Sequence, residues 1–149
     1  MKSTAPKVAF IHVTLDAKGH TVTHHCTVSS FAEVHPIKGS PAIWTSEDNF
    51  HPVSQAVWVM APDWRGGWHT NPQRQLVVPI SGSWWVETQD GVRTVMGPGD
   101  LYLGDDVGGL PDDAGRLGHD SGTVGDEPVV LLMIPVSDYM PTCACSSAS

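Results

Sequence analysis

Turn formers cut this chain into short pieces, and that spacing constrains the fold more than any other feature of the sequence. Fifteen glycines and twelve prolines interrupt it about every 8 to 12 residues, and the stretches between them are rich in Val, Ile, Thr and Trp. β-branched and aromatic side chains fit a pleated surface. No stretch keeps an uninterrupted helical period over about eleven residues. The pattern predicts an all-β sandwich or barrel with little helix, with strands over 8–15, 21–29, 55–60, 74–80, 83–89, 92–96, 100–103, 118–124 and 128–135.

Two turns are sharply marked. Asp90-Gly91 lies between two strand-forming runs, and the pair suits a type I′ hairpin, which needs positive φ at both central positions. Ser81-Gly82-Ser83 marks a second turn, so a three-stranded meander is expected over 74–96, followed by the tight turn Gly97-Pro98-Gly99-Asp100. Residues 104–118 are too rich in Gly and Asp to pack and read as a long loop over one barrel mouth. No repeat or internal boundary is visible, so 1–149 is expected to be a single domain. Its core is expected over about 55–135, and its tail, 141–149, is expected to be flexible.

At 149 residues a chain buries roughly two thirds of its unfolded surface, so folding needs no disulfide or structural metal. The formal charge is −8, and only eight basic residues are present, scattered singly. Counterion release from nucleic acid and attraction to anionic lipid both need clustered Lys and Arg, so neither is an expected partner. Three cysteines, two of them in the small-residue tail, do not indicate a disulfide framework. The apolar run 8–13 is broken by His12 and too short for a secretory leader. No run approaches the roughly 20 apolar residues of a membrane span. A soluble, cytoplasmic protein is expected.

The chemistry concentrates in Trp68-His69-Thr70-Asn71-Pro72-Gln73-Arg74-Gln75-Leu76-Val77-Val78-Pro79-Ile80-Ser81-Gly82. Alternate residues of an extended segment face one way, so His69, Asn71, Gln73 and Gln75 can share an interior, although Pro72 can bend the segment. The pattern resembles the first cupin motif, Gly-x5-His-x-His-x3-4-Glu-x6-Gly, with His69, Asn71, Gln75 and Gly82 at the His, His, Glu and closing Gly positions. It is also similar to small cupins that carry His-x2-Pro-x-Arg-Gln, here His69, Pro72, Arg74 and Gln75. Of the second cupin motif, Gly-x5-Pro-x-Gly-x2-His-x3-Asn, the first Gly and the His stand, at Gly108 and His119, while the Pro-x-Gly and the Asn are lost. Ala114, Arg116 and Thr123 occupy the lost places.

The resemblance implies a double-stranded β-helix, the jelly-roll barrel, with a small-molecule site around His69, Gln75 and His119. Where a cupin usually presents three histidines and a glutamate, this chain offers two imidazoles and neutral amides. His69, Gln75 and His119 are the expected ligands of a divalent metal (Zn, Fe, Ni or Mn), which without a carboxylate suits Lewis-acid work better than oxygen chemistry. In a metal-free site His69 or His119 is the general acid or base, with Gln75 and Arg74 orienting a carbonyl. Both lead to proton transfer beside a carbonyl, as in an isomerase, cyclase, dehydratase or decarboxylase. A metal-dependent dioxygenase and a non-catalytic ligand-binding cupin are the alternatives.

The remaining histidines lack partners at ligand spacing. His24 and His25 are adjacent on a strand and face opposite ways, so they read as surface or edge-strand residues. Six tryptophans are many for this length, and an aromatic-lined pocket suits a flat, largely apolar substrate. Trp58, Trp68, Arg74, Trp85 and Tyr102 are the expected substrate contacts. Trp84 and Trp85 face opposite ways, one of them inward. Small cupins commonly dimerise by lending an N-terminal strand, so a homodimer through 8–15 is expected.

Overall fold

In the computed structural model, which describes residues 4–47, 50–137 and 144–147, every regular element is a strand. They are β1 (Val8–Leu15), β2 (Thr21–Val28), β3 (Phe31–Val34), β4 (Ile43–Ser46), β5 (Ala56–Met60), β6 (Gln75–Ser81), β7 (Ser83–Thr88), β8 (Arg93–Met96), β9 (Tyr102–Gly104), β10 (His119–Val124), β11 (Val129–Pro135) and β12 (Ala144–Ser147). All the expected strands form, with ends shifted by no more than two residues. Among the described residues no helix is long and apolar enough to cross a membrane.

One sheet runs β12-β2-β1-β9-β6-β11-β5, a second runs β10-β7-β8, and β3 pairs with β4 in a separate hairpin. The segment 65–69 joins the second sheet beside β10 through the bridges Arg65↔Gly122 and His69↔His119. Four strands in the order β5, β11, β6, β9 thus face 65–69, β10, β7, β8, and each sheet takes strands from both halves of the segment 56–135. That interleaving is a jelly-roll barrel.

Strand alternation gives the large sheet two apolar faces. Inward residues such as Val13, Val77, Tyr102 and Leu131 meet Trp84, Val86 and Met96 of the small sheet in one core. Each such side chain contributes about 1.5–3 kcal/mol on burial. Outward residues Phe10, Cys26, Val28, Leu103 and Val136 form a second cluster, against which Phe31 and Phe50 pack.

Three expectations are corrected. β6 and β7 do not pair in a meander; β6 lies between β9 and β11, and only β7 and β8 form the hairpin. The cause is Gly82, at φ 72°, where a Cβ would stand 2.9 Å from the Pro128 carbonyl oxygen, so the chain passes sharply from one sheet to the other. The Asp90-Gly91 hairpin is present but is not type I′. Gly91 N–H donates to Thr88 C=O at 2.9 Å, and of the two only Gly91 has positive φ.

The tail segment 144–147 is a strand on β2, and Cys26 and Cys145, which face each other across that pair, form a disulfide. The rest of 141–149 lies outside the described residues. β1 is an interior strand held by β2 and β9.

Candidate functional site

The site begins with a backbone contact. His69 and His119 exchange both main-chain hydrogen bonds, N–H to C=O in each direction at 2.9 Å. Gly118, at φ 71°, permits the approach, since any Cβ there would collide with the His69 carbonyl. The pairing brings the imidazoles to 4.5 Å between centroids, tilted by 57°.

The partners of the rings fix their tautomers. His69 Nδ1 lies 2.6 Å from the Gly67 carbonyl oxygen, an acceptor only, so this nitrogen carries the hydrogen. His119 Nδ1 lies 2.6 Å from Asp106 Oδ2 and donates likewise. Each neutral ring therefore keeps its lone pair on Nε2.

Asp106 is wholly buried. Its second oxygen accepts from Asn71 Nδ2 at 2.7 Å, and Asn71 Oδ1 accepts from Gln75 Nε2 at 2.6 Å. A continuous chain of hydrogen bonds thus runs Gln75, Asn71, Asp106, His119. A buried carboxylate needs such partners, because an unpaired one is costly. Spending its nitrogen on Asn71 leaves Gln75 its Oε1 to offer the site.

These groups line two spaces that share wall residues. An inner chamber of about 50 Å³ is bounded by His69, His119, Gln75, Tyr102, Trp84 and Met133, among others. An outer one of about 230 Å³ is lined by Trp58, Pro72, Gln73, Met133 and Pro135, and it shares His69, Asn71 and Gln75 with the inner chamber. The inner chamber is larger than the roughly 30 Å³ share of one water molecule and far smaller than a whole drug-sized ligand.

Tyr102 and Trp84 belong to the wall of that inner space. Tyr102 Oη and Trp84 Nε1 are buried without a hydrogen-bond partner, the rings packed edge to face at 5.2 Å. Burial, and then the nearby Asp106 carboxylate, push the Tyr102 hydroxyl well above its ordinary range, with the Asn71 amide opposing. It stays a protonated donor.

The structure brings together His69, Gln75, His119, Trp58 and Tyr102 of the expected site residues. Three others stand elsewhere. Arg74 points to the face opposite Gln75 and donates from Nε to Asp105 Oδ1 at 2.7 Å. Burial raises the Asp105 carboxyl, but hydrogen bonds from His12 and Arg74 outweigh it and hold its pKa below the ordinary value. Trp68 lies under the Arg116 guanidinium at 4.9 Å. Trp85, outward because Trp84 is inward, sits between Arg65 and Arg93 at 5.3 and 3.9 Å.

His69 and Gln75 do not meet by strand alternation as expected. The chain bends at Pro72 and Gln73, and β6 starts only at Gln75. No motif or period in the sequence singles out Asp106, and Asn71, at the second histidine position of the motif, is a link in the hydrogen-bond chain. The available signal for Asp106 was its place two residues beyond Gly104, where a strand end delivers a side chain to the barrel mouth.

No family model matches the chain, and no curated protein does. Among solved structures it is similar to a cupin domain from Bordetella pertussis Tohama I, at 20% identity over 72% of this chain and 94% of that one, TM-score 0.41. A cupin-like protein from Thermotoga maritima MSB8 matches at 14% identity over 87% and 80%, TM-score 0.42. The capsular polysaccharide assembling protein CapF from Staphylococcus aureus matches at 14% identity over 77% of this chain and 34% of that one, TM-score 0.40.

Proposed function

We propose that the chain is an enzyme that moves a proton beside the carbonyl of a small, largely apolar compound. The observation that carries this reading is the wholly buried Asp106 carboxylate 2.6 Å from His119 Nδ1, behind a ring whose Nε2 is the remaining basic atom. Asp106 fixes the tautomer and offsets the charge that builds when Nε2 takes a proton.

The substrate's flat body occupies the outer space against Trp58, and its carbonyl enters the inner chamber. His119 Nε2 removes a proton from the carbon next to that carbonyl. Negative charge then grows on the carbonyl oxygen, where Tyr102 O–H and Trp84 N–H, unpartnered in the free protein, donate to it. Preorganised donors aimed at a developing oxyanion are commonly the largest single catalytic contribution. Return of the proton from His119 Nε2 at a neighbouring position completes an isomerisation; its delivery instead to a β-hydroxyl, which leaves as water as the enolate collapses, completes a dehydration.

A second reading has its own observation. Both imidazoles have Nδ1 committed, to Gly67 and to Asp106, as metal-bound histidines usually do. His69 and His119 through Nε2, with Gln75 through Oε1, fit a divalent ion as a neutral donor set. When bound, the ion polarises the carbonyl as a Lewis acid. The same geometry without turnover describes a ligand-binding cupin.

The test is exchange. A panel of small aromatic and aliphatic ketones is incubated with the protein in D2O and followed by NMR for deuterium at the α-carbon. Incorporation that disappears in His119→Gln supports the proposal. Compounds that bind without exchange overturn it in favour of a binding protein. Metal content of untagged protein separates the two catalytic readings: less than about a tenth of an equivalent, with exchange intact, removes the Lewis-acid one.

A further inference from the structure

On the outer face of the large sheet, away from the chambers, three soft or borderline ligands converge. His12, Cys26 and Cys145 each offer one ligand atom, and these atoms all lie within 4.8 Å of one another. The fold places them there by register. His12 shares the outward face of β1 with Phe10, Phe10 stands opposite Cys26 on β2, and Cys26 stands opposite Cys145 on β12. His12 and Cys26 are buried, whereas Cys145 is exposed, so the group opens to solvent on one side.

We propose that the reduced form of this cluster is a binding site for a thiophilic divalent cation, Zn²⁺ being the fitting case, and that the Cys26–Cys145 disulfide is its closed, oxidised form. Two thiolates and one imidazole are a recognised three-ligand zinc set that leaves a fourth position for water. The surroundings of His12 fit the role as well. Its Nε2 lies 3.3 Å from Asp105 Oδ2, which orients the ring and leaves Nδ1 with the lone pair. Asp105 is itself held by Arg74 at 2.7 Å. A carboxylate behind a ligating imidazole is the usual supporting arrangement.

The chemistry balances with a dithiol reductant. Thiolate attack breaks the S–S bond, the two electrons end on the sulfurs of Cys26 and Cys145, and the dithiol leaves as its own disulfide. Zn²⁺ then displaces one proton from each thiol to solvent. Two sulfurs on one tetrahedral zinc stand about 3.8 Å apart, so Cys145 must withdraw slightly. Among the described residues β12 pairs with β2 alone, at the end of the sheet, so a small displacement there disturbs a single strand pair.

Reduced protein carrying Cys143→Ser, so that residues 26 and 145 supply the thiols, is titrated anaerobically with Co²⁺ and then with Zn²⁺. The expected result is one equivalent bound with a thiolate-to-cobalt charge-transfer band, displaced by Zn²⁺ and absent from the oxidised protein. Cys145→Ser, at an exposed position, abolishes the band, and Asp105→Asn weakens Zn²⁺ binding roughly 10- to 100-fold. The double variant His69→Ala/His119→Ala keeps the band, which distinguishes this site from the chambers. Reduced protein that gives no band, or a band of unchanged affinity in His12→Ala, overturns the proposal.

Discussion

His119 and Asp106 are joined at 2.6 Å by a hydrogen bond from Nδ1 to Oδ2, across a loop that holds both the ring and the carboxylate out of solvent. The loop 105–118 is therefore more than a cover: it supplies the group that orients the proposed base. Asp106→Asn keeps the shape and removes the charge. Exchange activity is expected to fall about 10²- to 10⁴-fold. Asp106→Ala also strands the Asn71 amide and the His119 N–H, and is expected to cost about 3–5 kcal/mol of stability. Single-turnover rates and urea unfolding measure the two effects separately; an Asn variant with undiminished exchange would sink the base assignment.

Tyr102 tests the oxyanion role, because its buried hydroxyl donates to no acceptor and has only the Asn71 amide beside it. Deleting a buried polar atom of that kind leaves folding stability unchanged or raises it by up to about 1–2 kcal/mol. Tyr102→Phe should therefore fold at least as well as the parent while its kcat falls roughly 10- to 1000-fold. There is also a signature at high pH. The folded hydroxyl sits well above the ordinary 10.0, so the unfolded chain ionises first. Stability that is whole below pH 10.0 is lost as pH rises beyond it, and the Phe variant should lack this component of the alkaline loss. Equal kcat in parent and variant would remove the oxyanion role.

Two glycines with similar backbones should respond very differently to alanine. Gly91 has φ 83° and open space around it, so Gly91→Ala carries only the left-handed penalty of about 1–2 kcal/mol. Gly118, at φ 71°, has the His69 carbonyl against the place a Cβ would take. Gly118→Ala must push apart the paired main chains of His69 and His119, and is expected to cost more than about 3 kcal/mol and to abolish exchange. Comparable unfolding midpoints for the two variants would contradict the reading of that bridge.

Why the barrel was legible and its site only partly so follows from the same residues. Strands such as 129–135 show themselves because alternation and turn formers are local, and each expected strand rests on signals inside its own span. Pairing is not local: nothing within 74–96 says that Gly82 carries the chain to the other sheet, because the reason is a contact with Pro128. His69, Gln75 and His119 were found through motif spacing, yet they are assembled by a bend at Pro72 and a bridge to β10. A loop aspartate such as Asp106 gives no periodic signal; its role exists only after β9 and β10 place it behind His119. The pairing of Cys26 with Cys145 was invisible for the same reason, being set by register across a separation of 119 residues.

That disulfide supplies the last prediction. It closes a loop spanning most of the chain and fastens β12 to β2. In the chain-entropy account, a cross-link over about 100 residues stabilises by up to about 4.7 kcal/mol, by restricting the unfolded ensemble. The native contacts are otherwise little changed by its removal, since β12 lies at the sheet's end and Cys145 is exposed. Cys145→Ser should thus lower the unfolding free energy by roughly 2–4 kcal/mol while leaving the spectrum of the native state and the exchange activity as they were. Because the effect resides in the unfolded state, refolding should slow more than unfolding accelerates. Unchanged denaturant midpoints for oxidised parent, reduced parent and Cys145→Ser would mean that β12 is not tethered in this way.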